Sequence, residues 1–209
     1  MKVLLADDHI VVREGLKHII ESQHGEVTFG DARDGTEALN RIWNEDWDLV
    51  LLDIHMPGRD GIEVLREAKK AKPRTPVLII SGSSHEEYAV RALRDGAAGY
   101  IEKNAPESEF LQAVSEALAG RCYVTPAVAQ KLAREVASPK DKPVHETLSD
   151  REYQVMKMLA SGKTVKEVAA ELSLSVKTVS TYRTRILEKL NLTSNVDIAR
   201  FAIKAGLVG

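Results

Sequence analysis

Leu49-Val50-Leu51-Leu52-Asp53-Ile54-His55-Met56-Pro57-Gly58 joins four apolar residues to a carboxylate and then to a Pro-Gly turn. A continuous apolar run of this length, bounded by turn residues, is the pattern of a strand buried on both faces. Similar runs lie around it at Val3 to Ala6, Val27 to Gly30, Val77 to Ile80 and Gly99 to Ile101. Helix-like segments follow each run, near His9 to Ser22, Gly35 to Asn44, Gly61 to Ala71, Glu86 to Asp95 and Pro106 to Ala119. Strand then helix, repeated five times, predicts an α/β domain: a doubly wound, five-stranded parallel sheet with helices on both faces.

The rest of the chain has a different pattern. After Ala119-Gly120-Arg121-Cys122-Tyr123 comes a short helical stretch from Pro126 to Val136, then Ala137-Ser138-Pro139-Lys140-Asp141-Lys142-Pro143. That run is rich in proline and charge and lacks apolar periodicity, which predicts an exposed linker. From Leu148 onward there are only four short amphipathic helices. Ser149 followed by Glu152 is a capping box at the first of them. The expected organisation is therefore an α/β domain over 1–121, a linker with a short helix over 122–146, and an all-α domain over 147–209.

The chain of 209 residues is 44% hydrophobic and 29% charged, which excludes the signature of disorder. Only Val3, Leu4, Leu5 and Ala6 separate Lys2 from Asp7, too few for a signal peptide or a membrane span, so a cytoplasmic protein without a membrane partner is expected. A single cysteine, Cys122, excludes an internal disulfide and a cysteine metal cluster, and reads as a buried or incidental thiol. The net charge of -2 hides a polarity: Leu148 to Gly209 carries ten Lys/Arg against six Asp/Glu, leaving 19 against 25 for the remainder. A basic end on an acidic body is compatible with a nucleic-acid-binding domain.

Ligands of open α/β sheets bind beyond the carboxyl ends of the strands. There the first strand delivers Asp7 and Asp8, the third Asp53, the fourth Ser81 and the fifth Lys103. Clustered carboxylates repel one another unless a cation intervenes, and hard oxygen ligands suit Mg²⁺. With the metal and Lys103 offsetting the charge, an Asp53 oxygen is placed to attack a phosphoryl group, and Ser81 to hydrogen-bond it. Taken singly, each residue has a plainer reading: Asp7-Asp8 as a helix cap, Asp53 and Ser81 as turn residues, Lys103 as a surface charge. Joint delivery to one edge favours the site.

These residues, with Leu51-Leu52-Asp53-Ile54-His55-Met56-Pro57-Gly58-Arg59-Asp60-Gly61, Ser81-Gly82 and Gly99-Tyr100-Ile101-Glu102-Lys103, resemble the flavodoxin-like receiver domain of two-component response regulators over about the first 120 residues. The resemblance implies Asp53 as phosphoacceptor and Asp7, Asp8, Asp53 and the backbone carbonyl of His55 as Mg²⁺ ligands. It also implies Lys103 as the phosphoryl contact and Ser81 with Tyr100 as a switch pair. Tyr100 reads equally as an aromatic packed at a strand end. By the same resemblance, His55 and Ser83 occupy positions that in receivers tune the lifetime of the phosphoryl group. The sequence departs from many receivers in placing Asn104-Ala105-Pro106, rather than proline, directly after Lys103.

In the last 62 residues, Thr164 to Leu172 and Ser175 to Leu190 form two helices with a tight connection through Ser173-Leu174, a helix-turn-helix whose second member enters the major groove. Val165, Val168, Ala169 and Leu172 of the first helix, and Val179, Ile186, Leu187 and Leu190 of the second, are expected inward. The outer face of the second carries Lys177, Ser180, Thr181, Thr184, Arg185 and Glu188. Lys177, Arg183 and Arg185 suit phosphates, Thr178 and Tyr182 are hydroxyl donors, and Ser180, Thr181 and Thr184 are placed for base edges. A solvated helix face reads the same in composition alone. Leu148-Ser149-Asp150-Arg151-Glu152, Lys163 to Ala169 and Leu174 to Val179 look like the LuxR-type helix-turn-helix, and the two parts together are similar to the NarL/FixJ group. Where that group commonly has a basic residue after the Thr-Val pair, this chain has Ser180, and Thr184 is uncharged too, so no base sequence is carried over. The last helix, Val196 to Ala205, either closes the small core or supports a homodimer on DNA, as the resemblance implies.

Three functions of different kinds fit these residues. The first is a transcription regulator in which phosphorylation of Asp53 by a sensor histidine kinase controls dimerisation and binding to double-stranded DNA, with RNA polymerase as a further partner. The second is an aspartyl-nucleophile phosphatase or phosphotransferase, disfavoured because the residue two after Asp53 is His55, not an acid. Only self-catalysed phosphoryl transfer and dephosphorylation would remain as enzymatic activity. The third is a DNA binder with a merely structural receiver, which the intact acidic set argues against.

Overall fold

The computed structural model describes residues 1–82, 86–137, 147–172 and 174–208. The chain divides into two compact units, Met1–Ala137 and Ser138–Gly209. Ser83, Ser173 and residues 138–146 of the expected linker lie outside the described residues.

In the first unit β1 (Lys2–Ala6), β2 (Thr28–Ala32), β3 (Leu49–Asp53), β4 (Val77–Ser81) and β5 (Gly99–Glu102) form one parallel sheet in the order β2-β1-β3-β4-β5. Helices α1 (Ile10–His24), α2 (Gly35–Asn44), α3 (Gly61–Ala71), α4 (Glu86–Arg94) and α5 (Glu107–Leu118) connect and follow the strands. Every residue of β3 and β4 is buried, as their unbroken apolar runs require. The second strand lies further along than its apolar run suggests, because β1 sets its register from Lys2↔Thr28 to Ala6↔Ala32. Alternate strand residues Val3, Leu5, Leu49, Leu51, Leu78, Ile80 and Ile101 join Ile20 of α1 and Phe110, Ala113, Val114 and Ala117 of α5 in one core layer.

The segment after Arg121 is held to this unit. Tyr123 bridges to Gly99, its N–H donating to the Ala98 carbonyl at 2.8 Å. The approach needs glycine, since a Cβ at Gly99 would stand 2.8 Å from the Tyr123 carbonyl oxygen. Helix α6 (Pro126–Ala137) then packs against α4. A stretch that reads as linker thus clusters with the sheet as far as Ala137, held by the Tyr123 backbone pairing and by the packing of Tyr123 and Val128. Cys122 is exposed.

The second unit contains α7 (Asp150–Ala160), α8 (Val165–Glu171), α9 (Val176–Leu190) and α10 (Asn195–Lys204). Capping boxes at Ser149/Glu152 and Thr164/Glu167 start α7 and α8, and Ser175 caps α9. Asn191 ends α9 in the left-handed conformation, φ 53°. Tyr153, Val155, Met156, Val168, Val179, Ile186, Ile198 and Ala202 are fully buried. Val165, Leu172 and Leu187 are only half-buried. Among the described residues no helix is long and apolar enough to cross a membrane.

Candidate functional site

The alternation that sends Val3, Leu5, Leu49, Leu51 and Ile101 into the layer of α1 and α5 sets Asp7, Asp53 and Lys103 next in line on that side. The ladder holds this pattern one residue past the strand ends: Asp7 N–H donates to the Ala32 carbonyl at 3.1 Å and Lys103 N–H to the Ser81 carbonyl at 2.7 Å. Asp7 is 3% exposed and Asp53 2%. The Lys103 ammonium lies between them, 2.9 Å from Asp53 Oδ2 and 2.6 Å from Asp7 Oδ2. It donates a directed hydrogen bond to Asp53 and forms an even closer ion pair with Asp7 Oδ2. Burial works to lower the Lys103 pKa, but the Asp53 and Asp7 carboxylates outweigh it and hold the pKa above the usual lysine value, so the ammonium persists at neutral pH.

Backbone and side chains fix the acids from behind. His55 N–H donates to Asp53 Oδ1 at 3.2 Å, and the His55 ring meets Tyr88 edge-on at 5.9 Å between centroids. His9 Nδ1 stands 3.2 Å from Asp7 Oδ1 and 2.8 Å from Asp8 Oδ1. Arg13, 4% exposed, donates to the Asp7 carbonyl at 2.7 Å and to Asp31 Oδ1 at 3.0 Å. The loop after Asp53 passes closely: a Cβ at Gly61 would stand 2.2 Å from the Asp53 carbonyl oxygen. His9, Val12, Asp53, His55, Gly82 and Lys103 line a cavity of about 350 Å³.

The donor set suits a hard cation. Asp7, Asp8, His9 and Asp53 each offer an atom, all within 4.8 Å of one another, and three of the four are carboxylates. Lys103 supplies one positive charge against the buried Asp7 and Asp53 carboxylates, with Asp8 beside them, so the cluster keeps a negative balance that a divalent cation would offset. Sequence reasoning did not single out His9 and Arg13. His9 carries a signal, as the residue directly after the acid pair. Arg13 carries none, because its burial depends on Asp31 at the far end of β2.

Ser81, fully buried, ends β4, and Tyr100, 5% exposed, pairs with Ile79 two residues earlier, so both lie on one face of the sheet. Tyr100 lines a second cavity of about 520 Å³, with Ala89 of α4, Glu109 of α5 and Val128 of α6 among its walls.

In the second unit Lys177, Ser180, Thr181, Thr184, Arg185 and Glu188 are all exposed on α9. Thr178 and Tyr182 are half-buried, and Thr178 Oγ1 is 2.8 Å from Ser175 Oγ in the helix cap. Arg183 donates to Asn195 Oδ1 at 2.5 Å, which ties it to α10 rather than to the outer stripe.

An acidic strand-end pocket closed by a lysine, on a β2-β1-β3-β4-β5 parallel sheet, together with a helix-turn-helix unit, defines a receiver-type signalling protein with a DNA-binding output. Residues 3–115 match the response regulator receiver domain and residues 146–202 the luxR family of bacterial regulatory proteins. Response regulator GacA of Pseudomonas aeruginosa is 37% identical over 100% of this chain and 98% of its own. Oxygen regulatory protein NreC of Staphylococcus carnosus is 34% identical over 100% and 99%. A LuxR-family two-component response regulator from Aurantimonas has a solved structure that matches with TM-score 0.60 and 33% identity, over 66% of this chain and 98% of that one. The chain belongs to the NarL/FixJ-type two-component response regulators, which regulate transcription by binding DNA.

Proposed function

We propose that Asp53 is the phosphoacceptor and that its phosphorylation by a sensor histidine kinase drives dimerisation on DNA through the second unit. The observation that carries this reading is the Lys103 ammonium 2.9 Å from Asp53 Oδ2 in a pocket it shares with two further carboxylates. An Asp53 oxygen attacks the phosphorus of a phosphohistidine, the P–N bond breaks, and the electron pair returns to the imidazole, which takes a proton from solvent. Lys103 offsets the charge on the phosphoryl oxygens and Ser81 donates to one of them. Asp7, Asp8, Asp53 and the His55 carbonyl would hold Mg²⁺, which when bound neutralises phosphoryl charge. Attack of water on phosphorus, breaking the P–O bond to Asp53, releases phosphate and restores the carboxylate. These steps make the receiver the catalyst of its own phosphorylation and dephosphorylation and nothing wider.

Turning of Ser81 towards the phosphoryl group vacates space that Tyr100 fills, and the population shift alters the face formed by β5 and its helices. On DNA, Lys177 and Arg185 face phosphates, with Arg183, Thr178 and Tyr182 at the margins, while Ser180, Thr181 and Thr184 approach base edges. The protein acts in the cytoplasm, with RNA polymerase as the further partner at promoters.

Incubation with acetyl phosphate, with and without Mg²⁺, tests the acceptor by intact mass. One added phosphoryl group is expected, dependent on Mg²⁺, mapped to Asp53 and absent from Asp53→Asn, which also loses phosphodonor-dependent DNA binding. Labelling that persists in Asp53→Asn would overturn the assignment.

A further inference from the structure

The exposed arc of α9 carries little charge for a surface that meets DNA. Its first three turns present Val176, Lys177, Ser180, Thr181, Thr184 and Arg185, all exposed, within an arc of about 180° at 3.6 residues per turn, with the two cations separated by the uncharged residues. Val176 is 47% exposed, an unusual place for a valine on a helix with a buried face available.

The two threonines have their hydroxyls turned inward. Thr181 Oγ1 donates to the Lys177 carbonyl at 3.0 Å, and Thr184 Oγ1 donates to the Ser180 carbonyl at 3.1 Å. A hydroxyl has a single proton. With that proton given to the carbonyl one turn back, neither threonine has a donor left for N7 or O6 of a purine or O4 of thymine. The same bond selects the χ1 rotamer that lays Oγ1 over the preceding turn. The γ-methyl is then the group presented outward. In the major groove its complement is the C5-methyl of thymine, the apolar feature that distinguishes thymine from cytosine there. Val176 adds two methyls in the first turn, and the N-terminal residues of a groove helix are those that reach base edges.

We propose that α9 reads its half-site by apolar contact with thymine C5-methyl groups, made by Thr181, Thr184 and Val176, and not by hydrogen bonds donated from the threonine hydroxyls. This rests on α9 being the helix that enters the groove. The reading accounts for uncharged residues at positions 180 and 184: an arginine or lysine there would reach for guanine, whereas a short side chain lets the helix approach close enough for methyl contact.

The test uses the full chain labelled with acetyl phosphate. Binding sites are first enriched from a pool of randomised DNA duplexes. Each thymine of an enriched duplex is then replaced singly by deoxyuridine, which keeps base pairing and O4 and removes only the methyl. Replacement at a contacted position is expected to weaken binding about fourfold, the value of one buried methyl. Thr181→Val, which keeps the methyl and loses the hydroxyl, retains the thymine preference. Thr181→Ser, which keeps the hydroxyl and loses the methyl, abolishes it at one position while the helical circular dichroism is unchanged.

Equal affinity for every deoxyuridine duplex overturns the proposal, as does a thymine preference that survives Thr181→Ser, Thr184→Ser and Val176→Ala together. Thr181→Val losing specificity where Thr181→Ser keeps it would show the hydroxyl reading the base. Failure to enrich any sequence would overturn both this proposal and the assignment of α9 to DNA, whereas enrichment without methyl dependence overturns the proposal alone.

Discussion

In the first unit Asp7 and Asp53 are all but sealed from solvent, with Lys103 held between them by contacts of 2.6 and 2.9 Å. On α9 of the second unit Lys177, Thr181, Thr184 and Arg185 stand exposed, and among the described residues neither Lys177 nor Arg185 makes an ion pair. The enclosed cluster is assembled before any ligand arrives, so its energetics are tied to the backbone that encloses it. The open face is assembled only by its partner, so its residues can change with little effect on the fold. Substitutions near the pocket should therefore move stability and chemistry together, and those on α9 should move affinity alone.

Gly61→Ala tests the first half of that contrast and carries the largest effect. Its Cβ would meet the Asp53 carbonyl oxygen at 2.2 Å and Ile54 Cα at 2.7 Å, both backbone atoms that no side-chain rotation can relieve. The loop is further pinned by the Gly61 N–H donating to the Ile54 carbonyl at 2.9 Å. A loss of about 3 kcal/mol is expected, at the upper end for overpacking, together with reduced labelling by acetyl phosphate. Both tryptophans, Trp43 and Trp47, belong to the first unit, so urea unfolding followed by their fluorescence reports it separately. An unchanged midpoint would mean that the crossing from β3 to α3 has slack, and the coupling of fold to pocket would fail.

Glu152 is the place where the second unit behaves like the first. It is 2% exposed, and its carboxylate accepts from Ser149 N–H at 2.7 Å and from Lys189 Nζ at 2.6 Å. Burial pushes its pKa up, but Lys189 and the Ser149 cap together hold it below the usual glutamate value. A carboxyl with a lowered folded pKa gives stability that is fully present above the unfolded value, about 4.3, and is lost as pH falls through the folded one. Glu152→Gln should therefore cost about 1 to 2 kcal/mol at neutral pH, with Lys189, 40% exposed, supplying the smaller part. The difference from wild type should shrink below about pH 4. Urea unfolding followed by helical circular dichroism at the two pH values measures it. A difference that stays constant would make Glu152 a packing residue rather than an enclosed charge.

The same contrast separates what the amino acids revealed from what they did not. Asp7, Asp53 and Lys103 were legible because they stand at the carboxyl ends of unbroken apolar runs, the edge at which ligands of open α/β sheets bind; the shared side on which they emerge shows only in the structure. The capping box at Ser149/Glu152 was legible because its two partners lie three residues apart; the second box, at Thr164/Glu167, was not singled out although its spacing is the same. Arg13 was not, since its burial is decided by Asp31, eighteen residues away across a strand pairing. The attachment of residues 122–137 was hidden for a related reason: the Tyr123 backbone pairs with Ala98, and backbone bonds leave little mark on side-chain identity, while the partners of the packed Tyr123 and Val128 side chains lie far away in the chain. On α9 the exposed residues could be named, but not which atom each presents. Thr181 and Thr184 suggest hydroxyl donors by type, and only the rotamers show their protons already committed.

Lys177→Ala has the smallest expected effect and tests the second half of the contrast. An exposed ammonium on α9 that neutralises one phosphate releases about one counterion, so its removal should make the salt dependence of binding shallower by about one unit of log-log slope. Binding should weaken by the same factor for every sequence, and the loss on replacing thymine by deoxyuridine should remain. That pattern would separate the two kinds of contact along one helix, charge setting affinity and methyl groups setting sequence. A loss confined to duplexes with guanine at one position would instead place Lys177 on the O6 and N7 acceptors of that base. The charged and uncharged residues of α9 would then share one task, and the face would be as interdependent as the pocket of the first unit.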